Sequence, residues 1–249
     1  MIARKPLTFI SVIACSTLVA CGGSVGDYSD EPVNRPQSVS FTLDGNPADF
    51  SAFTVDHDVD NDANDGIEAG LEVMPAPYEY REGLHFRWDN YSSEIKGVMH
   101  RPIDALNADN EYEVQFEIDV VTYISNECDG NDGNPAGDVK IKAGLLNHEP
   151  QRSIVDNEYR VDVRDSHNAD HLSDETVLVG DIGLSTAECE LDPAEGVWER
   201  KIIRSQEQYF FIFSSDSEGG PWVYVSIDSQ YEGVTDVYLA DVRVIYREL

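Results

Sequence analysis

The chain has 249 residues, with 48 acidic against 17 basic side chains and a formal charge of −31 at pH 7. A surface this negative repels phosphate backbones, which excludes nucleic acid as a partner, and it gives anionic lipid no electrostatic hold. The length admits one all-β sandwich or two small domains. No apolar run after residue 20 approaches the roughly 20 residues that span a bilayer.

The chain opens with Arg4 and Lys5, followed by an uncharged apolar stretch from Pro6 to Ala20. That stretch is too short for a transmembrane anchor and has the order of an export signal. Leu18-Val19-Ala20-Cys21 resembles the lipobox of bacterial lipoproteins. The resemblance implies cleavage before Cys21, lipid on its thiol and amine, and export. Gly22 follows, with no Asp to retain the protein at the inner membrane, so the implied address is the outer membrane, with the lipid as the membrane contact. Val12-Ile13-Ala14-Cys15 is a rival, but it leaves a signal core of under about ten apolar residues.

Residues 21–37 read as the lipidated cysteine and a flexible tether, because Gly, Ser, Pro and acids recur there without apolar period. Gly22-Gly23-Ser24-Val25-Gly26 matches the nucleophile elbow of serine hydrolases in letters only. That motif needs a strand before it and a helix after it, and neither is predicted.

The folded body is expected over 38–249. Ser38 to Leu43 alternates polar and apolar residues and ends in the turn residues Asp44-Gly45-Asn46-Pro47. The run from Asp56 to Gly66 follows, rich in acids and asparagines. Asp60, Asp62 and Asn64 stand at alternate positions that could wrap a calcium ion. The glycine comes one place late for an EF-hand and Leu71 stands where its last glutamate belongs, so the choice is between a calcium loop and a solvated acidic loop. Leu84 to Trp88 alternates again, and Pro102 to Ala108 is predicted as a short helix.

The clearest strand is Tyr112 to Val121. Tyr112, Val114, Phe116, Ile118 and Val120 share one face, and Glu113, Gln115, Glu117 and Asp119 share the other, which is expected to meet solvent. Glu117-Ile118-Asp119-Val120 resembles the catalytic strand of a family of retaining β-glucanases, but Val121 and Thr122 follow where its second glutamate should stand. Once the signal and lipid site are set aside, Cys128 and Cys189 remain. An isolated pair outside the cytoplasm predicts a disulfide, which the loop-entropy argument credits with roughly 4 kcal/mol.

Later strands are predicted at 138–143, 176–179, 198–203, 208–213, 222–227 and 237–246. Many short strands with turns between them predict an antiparallel β-sandwich of jelly-roll type in a single domain. Asp165, His167, Asp170 and His171 cluster, but histidines four apart hold zinc only on a helix, and no helical period exists there. Tyr209, Phe211, Phe213, Trp222 and Tyr224 read as core. Trp88, Tyr91, Trp198 and Tyr231 are flanked by polar residues or turns and are the candidate ligand-binding rings.

The body from about Phe50 onward resembles a group of uncharacterised secreted and lipid-anchored bacterial proteins with a jelly-roll look. The matching islands are Asn90-Tyr91-Ser92-Ser93, Asn110-Glu111-Tyr112, Cys128 to Val139, Val179-Gly180-Asp181-Ile182 and Asp228 to Gly233. The closing run from Val237 to Val244 also resembles the last strand of carbohydrate-binding modules and galactose-binding-like domains. That resemblance implies a structural calcium ion served by Asp241.

Three functions stay open on the sequence. The leading expectation is non-catalytic glycan binding with structural calcium, on a lipid-anchored envelope protein. The others are a structural protein that binds an envelope partner, and a glycan-active enzyme.

Overall fold

The alternation in Glu111–Thr122 sets the architecture. Strands buried on one face stack that face on a second sheet, and the opposite sheet is supplied by equally apolar strands. In the computed structural model the described residues are 35–45, 50–60, 66–90, 95–130, 133–164, 175–185, 189, 192–206, 211–216 and 220–249. All belong to one body, Asn34–Leu249.

The strands in order are β1 (Gln37–Thr42), β2 (Ser51–Val55), β3 (Glu68–Val73), β4 (Glu82–Asp89), β5 (Ile95–Pro102), β6 (Glu111–Thr122), β7 (Val139–Leu146), β8 (Arg152–Val155), β9 (Glu158–Val161), β10 (Val177–Asp181), β11 (Glu199–Arg204), β12 (Phe211–Ser214), β13 (Trp222–Ser229) and β14 (Val234–Glu248). Sheet A runs β11-β6-β14-β4-β3, with β1 on β14 and β12 on β6. Sheet B runs β10-β7-β13-β5-β2, and β8-β9 form a separate hairpin. The strand pairings are antiparallel. The protein is therefore an antiparallel β-sandwich.

The core lies between the two sheets. Sheet A contributes Leu84, Phe86, Trp88, Val114, Phe116, Ile118, Val120, Leu239 and Val242, and sheet B contributes Met99, Ile141, Ala143, Val223, Val225 and Ile227. Cys128 and Cys189 form the predicted disulfide across 61 residues, with Cα atoms 5.0 Å apart. The bridge ties the loop after β6 to the segment that leads into β11.

Several expectations are corrected. Residues 103–110 form bends and turns, so the helix predicted from Pro102 to Ala108 is absent. Pro102 closes β5 instead, and its missing N–H fits a strand end better than a helix interior. The polar side of β6 is not plainly solvated either. Glu113 and Asp119 are buried, because arginines from neighbouring strands lie across them.

Sheet B departs most from simple alternation, since both faces of β5 are buried. The β8-β9 hairpin roofs its outer side, where Val55, Val98, Leu146, Val163 and Tyr224 form a second apolar cluster with Phe53, Tyr159, Val161 and Trp222. Asp156 and Asn157 make the two-residue hairpin turn, both with positive φ, a conformation that Asp and Asn tolerate better than other side chains. The segment 56–59 is fastened to this hairpin by backbone bonds from Asp56 to Tyr159 and from Val59 to Asn157.

Candidate functional site

The outer face of sheet A gathers most of the described chemistry. Two loops frame it. Between β3 and β4 the chain turns over the sheet through a cis Ala76-Pro77 bond. Met74 and Tyr78 press down on Val121, Tyr238, Ala240 and Trp198, which fixes the loop and leaves Tyr80 79% exposed at its tip. The second loop is the turn at 192–196, closed by the Glu195 and Gly196 amides on the Asp192 carbonyl.

Trp198 leaves that turn half-buried, its indole N–H donating to the Pro193 carbonyl at 3.3 Å. Its ring lies 4.9 Å from Tyr123 and 5.5 Å, edge on, from Tyr238. Tyr238 in turn stacks on His85 at 4.3 Å. The result is a row of rings across the sheet, backed by apolar side chains. Burial pushes the Tyr123 hydroxyl well above its usual range and the Tyr238 hydroxyl up to about 12, so both stay neutral phenols.

Beside the rings runs a ladder of charge. Arg200 donates from Nε to both carboxylate oxygens of Asp119, at 2.8 and 2.7 Å. Arg81 grips Asp241 from the other side at 3.1 and 3.2 Å and donates to the Ala240 carbonyl. Asp119 and Asp241 are register partners of β6 and β14, at a bulge in β14 that puts Asp241 on the outer face beside Asp119. The two carboxyl groups are close enough for each to influence the other's ionisation.

Their environments push them apart. Burial raises Asp119 above the ordinary carboxylate range, more than Arg200 lowers it. Burial would raise Asp241 too, but hydrogen bonds from Arg81 and Thr42 outweigh it and hold that group down. The ladder opens into a groove of about 230 Å³ that Ser40, Glu117, Ile202 and Arg243 also line. Arginines and carboxylates alternate along it, so no one sign dominates. The Arg200 amide also donates to the Tyr78 hydroxyl at 3.1 Å, which brings the Tyr80 loop to the edge of the groove.

The sequence-predicted residues divide sharply. Trp198 lies on the same outer face, packed with Tyr123 and Tyr238, two residues before Arg200 of the groove. Trp88 is fully buried between the sheets, edge on to Phe86, and has no face to offer a ligand. Tyr231 is likewise buried, with its carbonyl accepting from Asn90. Polar neighbours in sequence signalled exposure for both, but those neighbours point away from the core. Tyr91, Asp62, Asn64 and Cys21 lie outside the described residues, as does the stretch with Asp165, His167, Asp170 and His171.

Asp60 is exposed, and among the described residues no other candidate ligand gathers on it. Asp241 is in the site, but as the partner of Arg81. Both its oxygens face the Arg81 guanidinium. Asp56, the first acid of the supposed calcium run, pairs with Lys96 at 3.1 Å and Arg160 at 2.9 Å under the hairpin. One group does bring three metal-binding side chains together: ligand atoms of Glu68, Glu72 and His85 lie within 4.8 Å of one another.

The glucanase-like strand gains a second carboxylate, but from β14 and beside the first. Glycoside hydrolysis by an acid pair needs about 5–9.5 Å between the groups. Glu117 is occupied by Arg204 at 2.7 Å. Sequence reasoning missed Tyr80, Arg81 and Arg200. The pairing of β6 with β11 sets Arg200 on Asp119 of β6, and the pairing of β4 with β14 brings Arg81, just before β4, to Asp241 of β14, so only the sheet pairing reveals them.

No family model and no curated relative matches the sequence. Similar solved structures include the enzymatically active domain of tailspike protein 4 of bacteriophage CBA120. It is 7% identical at a TM-score of 0.34, with 82% of this chain and 20% of that one covered. Another is the K1 cleaved adhesin domain of Lys-gingipain from Porphyromonas gingivalis W83, 11% identical at a TM-score of 0.33, with 84% and 97% covered. A third is the C-terminal family 22 carbohydrate-binding module of Clostridium thermocellum Xyn10B, 15% identical at a TM-score of 0.31, with 84% and 92% covered. The chain thus spans one fifth of the first of these proteins. Identities this low leave its function to be argued from its own residues.

Proposed function

We propose that the outer face of sheet A binds a glycan without altering it. The observation that carries this reading is that exposed Tyr80, half-exposed Trp198 and the ladder Arg200-Asp119-Asp241-Arg81 share one face of the sheet, with Arg200, Asp119 and Asp241 lining an open groove. Ring faces take the apolar face of a sugar, and planar guanidinium and carboxyl groups take its hydroxyls as donor and acceptor. The near balance of sign in the groove, on a chain of −31, favours a neutral polysaccharide over a charged one. The test is retardation of the full chain in native gels cast with neutral polysaccharides. One polymer should slow it, and Tyr80→Ala and Arg200→Ala should each weaken that binding about tenfold. No retardation on a broad panel would end the proposal.

The setting we propose is a lipid-anchored protein of the outer membrane, on the strength of Arg4, Lys5, the apolar run and Cys21. Cells fed labelled palmitate should label the chain and fail to label Cys21→Ser. Equal labelling of the two would move the lipid to Cys15 or remove it.

A further inference from the structure

At the corner of sheet A where β3 meets β4, we infer a binding site for a divalent transition metal of the zinc class, formed by His85, Glu68 and Glu72. The inference rests on these residues and is independent of the glycan reading.

His85 is 5% exposed and held on two sides. Its ring stacks on Tyr238, and its Nε2 lies 2.8 Å from Asp236 Oδ1. Asp236 is itself buried and fixed by Arg87 at 2.9 Å. A carboxylate beside Nε2 fixes the ring and leaves Nδ1 as the nitrogen turned toward β3, the arrangement by which metal-binding histidines are oriented. Nδ1 is buried and has no hydrogen-bond partner among the described residues. It is aimed at Glu72, whose Oε2 stands 3.2 Å away.

A nitrogen lone pair and a carboxylate oxygen at that distance need a cation between them, a proton in the metal-free protein and, when it is supplied, a metal ion that displaces that proton. Two ligands about 2.1 Å from a tetrahedral zinc ion stand roughly 3.4 Å apart, close to the separation found here. The backbone makes room for the ion. Strand periodicity places Glu68, Gly70 and Glu72 on one face of β3, and Gly70 is the register partner of His85. With no side chain on Gly70, the space before the ring stays open, since even an added Cβ would meet nothing within 4 Å.

Glu68 is exposed and the Glu72 side chain is 51% exposed, so an ion can enter from solvent. One imidazole with two carboxylates suits zinc, whereas calcium takes oxygen ligands alone. Three protein ligands leave the fourth tetrahedral position to water.

The test is calorimetric titration of the chelator-treated full chain with zinc, in millimolar calcium that occupies diffuse carboxylates. One zinc per chain should bind. Glu68→Gln with Glu72→Gln, both on the surface, should weaken it by more than about 100-fold while circular dichroism stays unchanged. Cobalt(II) in place of zinc should give the intense visible band of a tetrahedral site, lost in His85→Asn. Uptake that calcium abolishes, or that survives the double glutamine variant, would overturn the site. Should His85→Asn fail to fold, the glutamine variant still decides.

Discussion

On the outer face of sheet A, half-exposed arginines reach across mostly buried carboxylates; on the outer face of sheet B, both partners of the ion pairs are sealed from water. Arg200, Arg87 and Arg204 reach across sheet A with 41–63% of their side chains exposed. On sheet B, Lys96, Lys142 and Asp228 are each at most 5% exposed, with Lys142 2.8 Å and Lys96 3.9 Å from the same Asp228 oxygen. Lys96 also meets Asp56, which Arg160 of the hairpin caps. The same residue types thus do two jobs. Where water reaches them, arginine forks stay able to exchange partners, which suits recognition. Where water is excluded, each charge depends on its neighbours, which suits fixing the hairpin in one place.

The sharpest way to break that contrast is Asp228→Asn. The substitution keeps the shape but removes the carboxylate that two buried ammonium groups share. Losing one partner of a buried charge cluster costs about 3–5 kcal/mol. Urea unfolding should show a deficit of that size. Arg204→Ala on the open face, with its side chain 63% exposed, should move the same midpoint by less than about 1 kcal/mol. Equal effects would mean that the two faces do not differ as their burial implies.

The legible part of the fold follows the same divide. Strands whose residue types alternate announced themselves, as in β1, β4 and β6, and the core side of β6 is as expected, although stretches of β4 and β6 are covered on their outer face too. Strand β5 did not, because the hairpin buries its second face and because Lys96, Gly97 and His100 interrupt the apolar run. Gly97 is there because the Phe86 ring occupies the place of a side chain. The β8-β9 hairpin carried a readable signal, Asp156-Asn157 between short runs, that the strand periodicity did not take up. In the site, Trp198 and Asp241 were visible as residue types. Their partners were not, since Arg81 and Asp241 are 160 residues apart and meet only through sheet pairing.

The smaller effect sits in the Asp119–Asp241 pair, and pH reveals it. Asp241 is held below its ordinary value by Arg81 and Thr42, against burial. Its contribution to stability is present above the usual carboxylate value near about 3.9 and is lost as pH falls through the lower folded value. Asp119 is raised, chiefly by burial, so its contribution is present at low pH and is lost as pH rises through the raised value. Asp241→Asn should therefore cost about 1–2 kcal/mol at neutral pH and progressively less in acid. Asp119→Asn should run the other way, matching the wild type in acid and gaining on it as pH rises. Parallel pH profiles for the two variants would mean that the two carboxyls feel the same environment. Opposite profiles would show that the two acids answer to different neighbours, Asp119 to its burial and Asp241 to Arg81 and Thr42.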